Sequence, residues 1–515
     1  MNLNIIYNRN IQGIIGINGN LLLGIKEDFQ WFKEHTINNI VVMGYNTFID
    51  LPGKGSINPL KDRLNIIISE NHYNELNVKI KENNVKGVIV YKNFKDFYDQ
   101  WVPNKCNNYQ KFYEINKGLY DPYLDKYKSV TDIFIIGGST LYKHVFNSYK
   151  IDSIYETLSD IRVDFNILNN NSNKISYFNN IIPTDKYTNI YSKNVKGSIR
   201  LNFEKDHPVY KDGIYTFKIY HHNDNINKGE LVYLRLLDKV SKDGISKDAR
   251  NSRVISLFSP PSMKFDLRKG FPLLTSKKMP WKIILKELLW FISGSTDNRI
   301  LQSKGVHIWD GNASKEYMEK RGLSHYPEGD LGPIYGFQWR HFGAKYYGCS
   351  VKHDGRGFDQ LKYIIKEIND NPNSRRIILN SWNASDLDLM ALPPCHVMVQ
   401  FNVDSKEKYI DAKLIQRSGD MFLGVPFNIA SYSFLLHIIG NITGYTPRYL
   451  IHDIGDAHIY NNHIEAINVQ LQRKMYPFPE LIIKRKIDNI DEIDESDFDI
   501  IKYSSYPLIR AKMIA

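Results

Sequence analysis

Short apolar runs that end at glycine or serine recur through the first 220 residues. Residues 40–43, 65–68 and 133–136 are examples, each rich in isoleucine and valine. Continuous β-branched runs of this length are typical of strands buried on both faces of a parallel sheet. A polar segment suited to opening a helix follows each run, so the pattern predicts an α/β domain with a mostly parallel central sheet.

The pattern changes near residue 222. The segment 221–230, HHNDNINKGE, is polar and has no apolar anchor, whereas 281–293, WKIILKELLWFIS, is apolar nearly all round and predicts a core helix. Strand-like runs follow at 397–403 and 410–416. These features indicate a second, α+β domain without internal repeats. We therefore predict three regions, which are a first domain over 1–222, a short linker over 223–228 and a second domain over 229–515.

Composition places the chain among ordinary globular proteins. Of its 515 residues, 42% are hydrophobic and 24% charged, and the aromatic content of 13% argues against disorder. The net charge of +11 is spread over both halves, with no basic tail or stripe. This distribution favours a solvated surface over nucleic-acid binding, and a mildly positive surface would also suit an anionic small substrate.

The number of cysteines and the N-terminal segment indicate the expected cellular compartment. The three cysteines, Cys106, Cys349 and Cys395, are too few for a disulfide framework or a structural zinc site. No secretory signal is recognisable, and no run approaches the roughly 20 apolar residues of a membrane span. We expect a cytoplasmic protein with no metal and no membrane association.

Candidate chemistry in the second domain centres on Cys395, which follows two prolines on a stiffened backbone. A lone cysteine is more often a small buried hydrophobe than a nucleophile. Arg417 and the pair Arg375 and Arg376, however, have no obvious acidic partner nearby in sequence. Clustered guanidinium groups favour a phosphate dianion and would lower the pKa of a neighbouring thiol, although the arginine pair by itself favours a solvated surface.

Several long segments in this domain resemble thymidylate synthase, and the match covers essentially all of 229–515. The segments are FPLLTSKK (271–278), ELLWFISGST (287–296), GDLGPIYGFQWRHFGA (329–344), LMALPPCH (389–396), QRSGDMFLGVPFNIASY (416–432) and HDIGDAHIYNNH (452–463). The resemblance implies that Cys395 adds to carbon-6 of dUMP, after which carbon-5 attacks the methylene group of methylenetetrahydrofolate. The folate then returns a hydride, which gives dTMP and dihydrofolate.

The resemblance also assigns the residues around dUMP. Asn428 would read uracil, because an amide can accept from the ring N–H and donate to the adjacent carbonyl. Arg375 and Arg376 would reach in from a partner subunit, which implies a homodimer through this domain. The full set of dUMP residues implied is Arg250, Arg375, Arg376, His396, Arg417, Ser418, Asp420, Asn428, His458 and Tyr460.

Glu287 has a physical case of its own, because a carboxyl buried in an apolar helix without a cation has a raised pKa that suits proton transfer. The alternative is an ion pair with Lys282 or Lys286. The resemblance adds Tyr335 as a catalytic residue and places Trp309, Asn312 and Asp420 on the folate side. One departure is the segment 251–254, NSRV, where the family has a Gly/Thr-rich loop over the phosphate; Arg253 adds a cation there.

In the first domain, single features are weak. Asp28 lies in a first helical turn, where by itself it favours a role in stabilising the helix dipole. Gly137-Gly138 is common where a strand turns into a helix and is a weak signal by itself. The glycine pair would also allow close approach of a pyrophosphate to a helix N-terminus, but the full Rossmann fingerprint is absent.

Taken in order, segments of the first domain resemble dihydrofolate reductase over about 1–222, with a longer middle around 98–130. They are IIGINGN, EDFQWFKEHT, IVVMGYNTF, NPLKDRLNIIIS, IFIIGGSTLY and YETL. The resemblance implies hydride transfer from NADPH to dihydrofolate, with Asp28 gripping the pterin's 2-amino group and ring nitrogen. The other folate residues implied are Phe32, Leu60, Arg63 and Thr157. The NADPH residues implied are Gly16, Thr47, Ser69, Gly137, Gly138 and Tyr142.

Three departures fall in this domain. Leu22-Leu23 stand where the family's mobile loop usually carries Pro-Trp. Tyr45 and Glu70 stand where basic residues commonly meet the adenosine 2′-phosphate. These departures affect two expected properties of the domain, which are the closure of the mobile loop and the preference for NADPH over NADH.

Together the halves predict a bifunctional enzyme, because the synthase releases dihydrofolate and the reductase regenerates tetrahydrofolate. The predicted ligands are dUMP and folates, with NADPH as cofactor and methylenetetrahydrofolate as cosubstrate. One alternative is a synthase with a degenerate, structural reductase-like domain, which the departures favour and which Asp28 with Arg63 disfavours. A pyrimidine hydroxymethylase on the same scaffold is a second alternative, and nucleic-acid binding a third.

Overall fold

The chain forms two compact units, Met1–Asn225 and Ile226–Ala515. The computed structural model describes residues 2–51, 58–102, 132–164, 174–202, 209–248 and 252–512. The boundary between the units falls within the predicted linker segment 223–228. There a short 3-10 turn, Asn223–Asn225, ends the first unit, and the Asn227 side chain caps the first helix of the second.

The first unit is built around one large sheet. Its strands are β1 (Asn2–Asn10), β2 (Ile14–Ile17), β3 (Asn20–Leu21), β4 (Leu23–Gly24), β5 (Ile40–Gly44), β6 (Leu64–Ile68), β7 (Val88–Tyr91), β8 (Asp132–Gly137), β9 (Ser153–Ser159), β10 (Ile175–Tyr177), β11 (Tyr187–Leu201) and β12 (Val209–His222). Its helices are α1 (Lys26–Thr36), α2 (Tyr45–Ile49), α3 (Tyr73–Glu82), α4 (Phe94–Trp101) and α5 (Ser139–Ser148).

The nine-stranded sheet has the order β4-β11-β12-β9-β1-β8-β5-β6-β7. Every pairing from β9 to β7 along this order is parallel, and β12, β11 and β4 add antiparallel pairings. The apolar runs read from the sequence form β5, β6 and β8, whose residues are almost all buried. The mostly parallel central sheet is thus confirmed.

The second unit combines a mixed sheet with helices. Its strands are β13 (Ile245–Asp248), β14 (Arg253–Phe258), β15 (Met263–Asp266), β16 (Ile378–Asn380), β17 (His396–Asp404), β18 (Tyr409–Asp420), β19 (Thr446–Tyr460), β20 (Glu480–Ile483) and β21 (Phe498–Ile501). Its helices are α6 (Lys228–Asp243), α7 (Trp281–Ile292), α8 (Asn298–Ser303), α9 (Asp310–Ala313), α10 (Lys315–Lys320), α11 (Tyr335–His341), α12 (Gln360–Asp370), α13 (Gly424–Thr443) and α14 (Ile464–Leu471).

The main sheet of this unit runs β13-β14-β19-β18-β17-β16, with β15 also paired to β19. Only the β18–β19 pairing is parallel. The predicted core helix is α7, and the two predicted strands are the central parts of β17 and β18. Strand β18 extends beyond its apolar run because the residues that follow it, up to Asp420, continue the pairing with β19.

Helix α13 has the length and apolar composition of a membrane-spanning segment, but most of it is buried inside the unit. It packs against β18, β19 and α7. Burial on this scale is characteristic of a core helix.

Candidate functional site

In the first unit, Asp28 lies in the first turn of α1 and is only 9% exposed. The Thr157 hydroxyl donates to its Oδ1 at 2.5 Å, and the Asn8 amide donates to its Oδ2 at 2.7 Å. Burial raises the pKa of Asp28, while the hydrogen bonds from Thr157 and Asn8 oppose that rise. The two predicted residues Asp28 and Thr157 are therefore brought together, and Asn8 joins them.

Arg63 is held close to α1. It is 7% exposed, and its Nε donates to Thr36 Oγ1 at 2.8 Å while Nη1 donates to the Lys61 carbonyl at 2.7 Å. Its guanidinium carbon lies 5.6 Å from the centre of the Phe32 ring. Leu60 is fixed at both backbone polar groups by the Asn65 side chain. These contacts place a cation beside an apolar wall.

The glycine pair forms a close backbone turn before α5. A Cβ atom on Gly137 would lie 2.9 Å from Thr47 Cγ2, and one on Gly138 would lie 3.2 Å from Thr47 Oγ1. Gly137 has a φ of 149°, and Gly138 is the N-cap residue of the ten-residue helix α5. The absence of a Cβ atom on Gly137 and Gly138 lets Thr47 pack against their backbone at the N-terminus of α5. We call these three residues the glycine cradle, and a helix N-terminus of this kind suits a pyrophosphate.

The remaining predicted cofactor residues lie on other elements. Tyr142, 4% exposed on α5, donates its hydroxyl to the Ile6 carbonyl at 2.8 Å. Gly16 lies on β2, where an added Cβ would be 2.8 Å from the Asn20 carbonyl. Ser69 follows β6, and its hydroxyl accepts from the His72 backbone N–H at 3.2 Å.

The departures in this unit have defined surroundings. Leu22 and Leu23 are fully buried, and the Leu22 backbone bonds to Ile15. The Tyr45 ring stacks on His72, with centroids 3.7 Å apart and planes 10° from parallel. Glu70 is exposed. An aromatic and imidazole stack therefore stands where the family commonly has basic residues.

In the second unit, Cys395 precedes β17 and lies beside Arg417 of β18. Arg417 Nη2 is 3.7 Å from Cys395 Sγ, and its other bonds to the Pro393 and Pro394 carbonyls hold the guanidinium in place. Arg417 lowers the pKa of the Cys395 thiol as predicted, but burial outweighs it and the net pKa is raised. The net pKa is raised because desolvation of a thiolate costs more than the single guanidinium of Arg417 offsets.

Glu287 lies on α7, and its Oε1 accepts from Trp309 Nε1 at 2.8 Å. Burial raises its pKa to about 7. Lys286 instead donates to the Lys304 carbonyl, and Lys282 lies over the Trp281 ring. Of the two explanations offered for Glu287, the structure therefore supports the desolvated acid, which has no ion-pair partner among the described residues.

Aromatic rings connect Glu287 to the cysteine. The Trp309 ring centre is 6.1 Å from that of Tyr335, and Tyr335 OH accepts from the Cys395 backbone N–H at 2.7 Å. Tyr335 is 3% exposed, and its ring lies 5.2 Å from His396. The acid, the tyrosine and the cysteine thus line one continuous cluster.

A chain of amides and imidazoles ends at Asn428. His452 Nε2 bonds Gln416 Oε1 at 2.7 Å, and Gln416 Nε2 donates to Asn428 Oδ1 at 3.0 Å and to the Ser418 carbonyl at 2.9 Å. Burial lowers the pKa of His396, which also bonds Asn428, to about 4. The Gln416 donor therefore sets which end of the Asn428 amide is the acceptor.

Adjacent strands place the predicted phosphate and ribose residues side by side. Ser418 Oγ is 3.5 Å from His458 Nδ1, and the His458 and Tyr460 ring centres are 5.5 Å apart. Asp420 pairs with His458 across β18 and β19 and accepts from the Phe422 backbone N–H. The sheet register thus gathers residues that are up to 42 positions apart in sequence (from 418 to 460).

Other predicted residues are less engaged. Arg375 and Arg376 are exposed, and neither guanidinium forms an ion pair or hydrogen bond with another described residue. Asn312 lies on α9, three residues after Trp309. Arg253 is paired with Asp248 at 3.0 Å, so its charge is partly neutralised. Arg250, like Cys106, lies outside the described residues.

Across the described ranges, no group of three or more His, Cys, Asp or Glu side chains is placed to hold a metal ion. The prediction of metal-free chemistry stays a prediction.

Two residues at these sites, Gln416 and Asn8, are not among those predicted from the sequence. Gln416 belongs to the segment QRSGD but has no predicted role of its own. Asn8 lies on a face of β1 that also carries Asn4 and Asn10, which are likewise buried, so the sequence pattern does not set it apart. Its hydrogen bond to Asp28, which only the folded chain shows, is what assigns it to this site.

Family models match both units. The model described as thymidylate synthase matches residues 231–515, and the model described as dihydrofolate reductase matches residues 2–99. The chain is 50% identical to the thymidylate synthase of Homo sapiens over 286 residues, which is 55% of this chain and 90% of that protein.

Relatives that carry both names match nearly end to end. The bifunctional dihydrofolate reductase-thymidylate synthase of Zea mays is 36% identical over 527 residues, covering 97% of this chain and 94% of that protein. The protein of the same name from Paramecium tetraurelia is 36% identical over 509 residues, with 98% and 96% coverage.

Proposed function

Because the chain belongs to the bifunctional dihydrofolate reductase–thymidylate synthase family, we propose how its two units divide the work. The second unit converts dUMP and methylenetetrahydrofolate into dTMP and dihydrofolate. The first unit reduces that dihydrofolate with NADPH. A degenerate reductase domain is not favoured, since relatives named for both activities match 97–98% of the chain.

The observation that carries the proposal is the pair of sites, one in each unit: a buried carboxyl held by Thr157, and a thiol held beside a guanidinium. Two assays on the full chain test it. Consumption of NADPH with dihydrofolate measures the reductase, and formation of dihydrofolate from dUMP and methylenetetrahydrofolate measures the synthase. If the chain formed dTMP but did not oxidise NADPH with dihydrofolate, the alternative of a synthase with a degenerate reductase-like domain would be supported instead.

In the proposed synthase reaction, the Cys395 thiolate adds to carbon-6 of dUMP and makes carbon-5 nucleophilic. The net raised pKa of the free thiol implies that thiolate formation requires further positive charge at the site. Arg250, Arg375 and Arg376, with the nearby Arg417, would hold the phosphate and supply that charge. Glu287, with a pKa near neutrality, is suited to move a proton to or from the base.

In the proposed reductase reaction, Asp28 binds the donor edge of the pterin, and Arg63 forks onto the carboxylate of the folate tail beside the Phe32 and Leu60 wall. NADPH, when bound, supplies the hydride. The Gly137–Gly138 cradle and the α5 N-terminus would hold its pyrophosphate, because the glycines keep side-chain atoms away and Thr47 already packs against them.

We further propose a homodimer formed through the second unit, with Arg375 and Arg376 serving the partner's dUMP site. Their exposure, and their lack of partners within the described parts of their own chain, support this arrangement. We propose a cytoplasmic location because three cysteines are too few for the disulfide framework that is common in secreted proteins.

The first prediction concerns Glu287. Because its pKa is raised to about 7, the folded chain holds this proton more tightly than the unfolded chain. The protonated carboxyl contributes fully to the free energy of unfolding below the unfolded-state pKa of about 4.5. This contribution is lost as the pH rises through the folded-state pKa of about 7. Glu287→Gln should therefore stabilise the second unit at about pH 8, by up to about 3 kcal/mol.

The same variant should slow dTMP formation about a hundredfold or more, because glutamine keeps the acceptor for Trp309 but cannot exchange a proton. Thermal unfolding and turnover at several pH values measure the two effects. Glu319→Gln, at an exposed position, is the matched control and should change neither. Unchanged turnover in Glu287→Gln would remove this residue from the proton path.

The second prediction concerns base choice. Asn428→Asp should lose its preference for dUMP, because a carboxylate cannot donate to the carbonyl beside the ring N–H. An unpaired buried polar group costs roughly 1–3 kcal/mol, or about ten- to a hundredfold in binding. The ratio of dUMP to dCMP turnover measures the change. A ratio equal to that of the wild type would show that another group reads the base.

The third prediction concerns NADPH. A 2′-phosphate near Tyr45 meets the Tyr45–His72 ring stack and the exposed Glu70 rather than paired arginine or lysine side chains. The selectivity for NADPH over NADH, as a ratio of kcat/KM values, should therefore be modest, and Tyr45→Arg should raise it about tenfold. Strong wild-type discrimination that Tyr45→Arg leaves unchanged would mean that a cation from elsewhere, such as Lys54 outside the described residues, fills the site.

A further inference from the structure

Asn8 occupies a central position in the reductase unit. It lies on β1, between β8 and β9, and pairs in parallel register with Thr157 of β9. Side chains paired across neighbouring strands point to the same face of a sheet. Asn8 and Thr157 therefore meet the same carboxyl group from the same side, each bonding one oxygen of Asp28.

The orientation of the Asn8 amide is determined by its partners. Its Nδ2 donates to Asp28 Oδ2 at 2.7 Å and to the Leu23 carbonyl at 3.3 Å. The reverse orientation would set Oδ1 against two acceptors, so the amide cannot flip. Oδ1 is buried and has no hydrogen-bond partner among the residues that the structure describes.

An asparagine that served only to fill space at this position would lower the stability of the unit. Asn8 is 6% exposed, and a buried polar atom without a partner destabilises a fold, whereas leucine would fill nearly the same volume without that cost. A purely structural explanation would rest on the bond to Leu23, which is the longer of the two. The shorter bond goes to the charged oxygen, and bonds to ionised groups are the stronger kind.

We propose that Asn8 is a positioning residue of the reductase: its amide, together with the Thr157 hydroxyl, holds the ionised carboxylate of Asp28 in the orientation that receives the pterin. This rests on the proposed function of Asp28. Neither the family resemblance nor the matches to relatives assign Asn8 a role.

The electrostatics agree with this geometry. Burial raises the pKa of Asp28, and the donors Thr157 and Asn8 favour the charged form. The other titratable groups that interact with this carboxyl or its neighbour are Tyr142 of α5, Tyr215 of β12 and Glu27 of α1. Both tyrosines have pKa values raised by burial, so they stay neutral over the range of interest. Loss of the Asn8 donor should raise the pKa of Asp28 further.

The test measures the binding of radiolabelled folate by equilibrium dialysis of the full chain from about pH 5 to about pH 8, without nucleotide. In Asn8→Leu, the pH below which binding is lost should rise by about one to two units, because a donor to a charged group is removed. Asn4→Leu is the matched control. Asn4 is a buried amide on the same face of β1 that donates to a different carboxylate, Asp132, at 3.0 Å, and its loss should not shift the profile.

Asn8→Asp should give the opposite pH dependence. Two adjacent carboxyls share one proton, so at low pH the new carboxyl donates to Asp28 as the amide does, and folate binding stays within a few-fold of wild type. As the pH rises and both ionise, their repulsion should weaken binding at least tenfold. A merely structural role predicts that Asn8→Leu loses binding equally at every pH, and that Asn8→Asp binds folate weakly at low pH as well as at high pH.

Asp28→Asn supplies the background and separates the two claims. If Asp28→Asn keeps full folate binding, Asp28 is not the pterin carboxylate and the proposed function of this site fails. If Asp28→Asn loses binding while both Asn8 variants keep the wild-type pH profile, the role of Asn8 alone is refuted. Where Asn8→Leu does not fold, as judged by circular dichroism, the Asn8→Asp profile decides, and absence of binding at every pH would overturn the proposal.

Discussion

Cys395→Ser should abolish dTMP formation, by at least about a thousandfold, and leave dihydrofolate reduction within about twofold of wild type. A serine hydroxyl is a far weaker nucleophile than a thiolate at neutral pH. The reductase should be unaffected because Asp28, Thr157 and the glycine cradle all belong to the first compact unit, whereas Cys395 belongs to the second. Both reactions are measured on the same preparation.

Cys349→Ser is the matched control for this experiment. Cys349 is a second free, half-buried cysteine of the same unit, and burial raises its pKa to about 11. It lies beside Arg299 and Asp330, away from the Tyr335 cluster. Its substitution should leave both activities near wild type. Retained synthase turnover in Cys395→Ser would end the assignment of the nucleophile.

Mixing two inactive variants should restore synthase activity if the site is shared between subunits. An Arg375→Ala chain and a Cys395→Ser chain each lack one essential group. After subunit exchange in equal amounts, about half of the dimers are mixed, and each has one complete site, so about a quarter of wild-type activity should return. The exposed, unengaged guanidinium of Arg375 is what leads us to expect this result.

The control for this experiment pairs Cys395→Ser with Arg417→Ala. Arg417 bonds the Pro393 and Pro394 carbonyls and the thiol of its own chain, so no mixed dimer can contain a complete site. No activity should return from that mixture. Recovery in neither mixture, with exchange shown by mass labelling, would place Arg375 in the site of its own subunit.

The surroundings of a side chain in the folded protein, more than its residue type, decide its chemical properties at two positions. The arginine beside Cys395 was expected to lower the thiol pKa, but desolvation has the larger effect and the net pKa is raised. Glu287 had two possible explanations in the sequence, and only the packing of α7 against Trp309 separates the buried acid from an ion pair with a lysine. Desolvation depends on all surrounding atoms, so no local sequence pattern reports it.

Sequence by itself determined the classes of structure and the identity of the reacting groups. The apolar runs predicted the parallel strands, because residues buried on both faces of a sheet are apolar. Long motifs such as LPPCH and QRSGD indicated the chemistry of thymidylate synthase. Tertiary structure alone decided which groups meet. The register of β1 with β9 joins Asn8 and Thr157 on Asp28, and that of β18 with β19 sets Ser418 beside His458. Register arises from packing between segments far apart in the chain, so it is a property of the folded sheet.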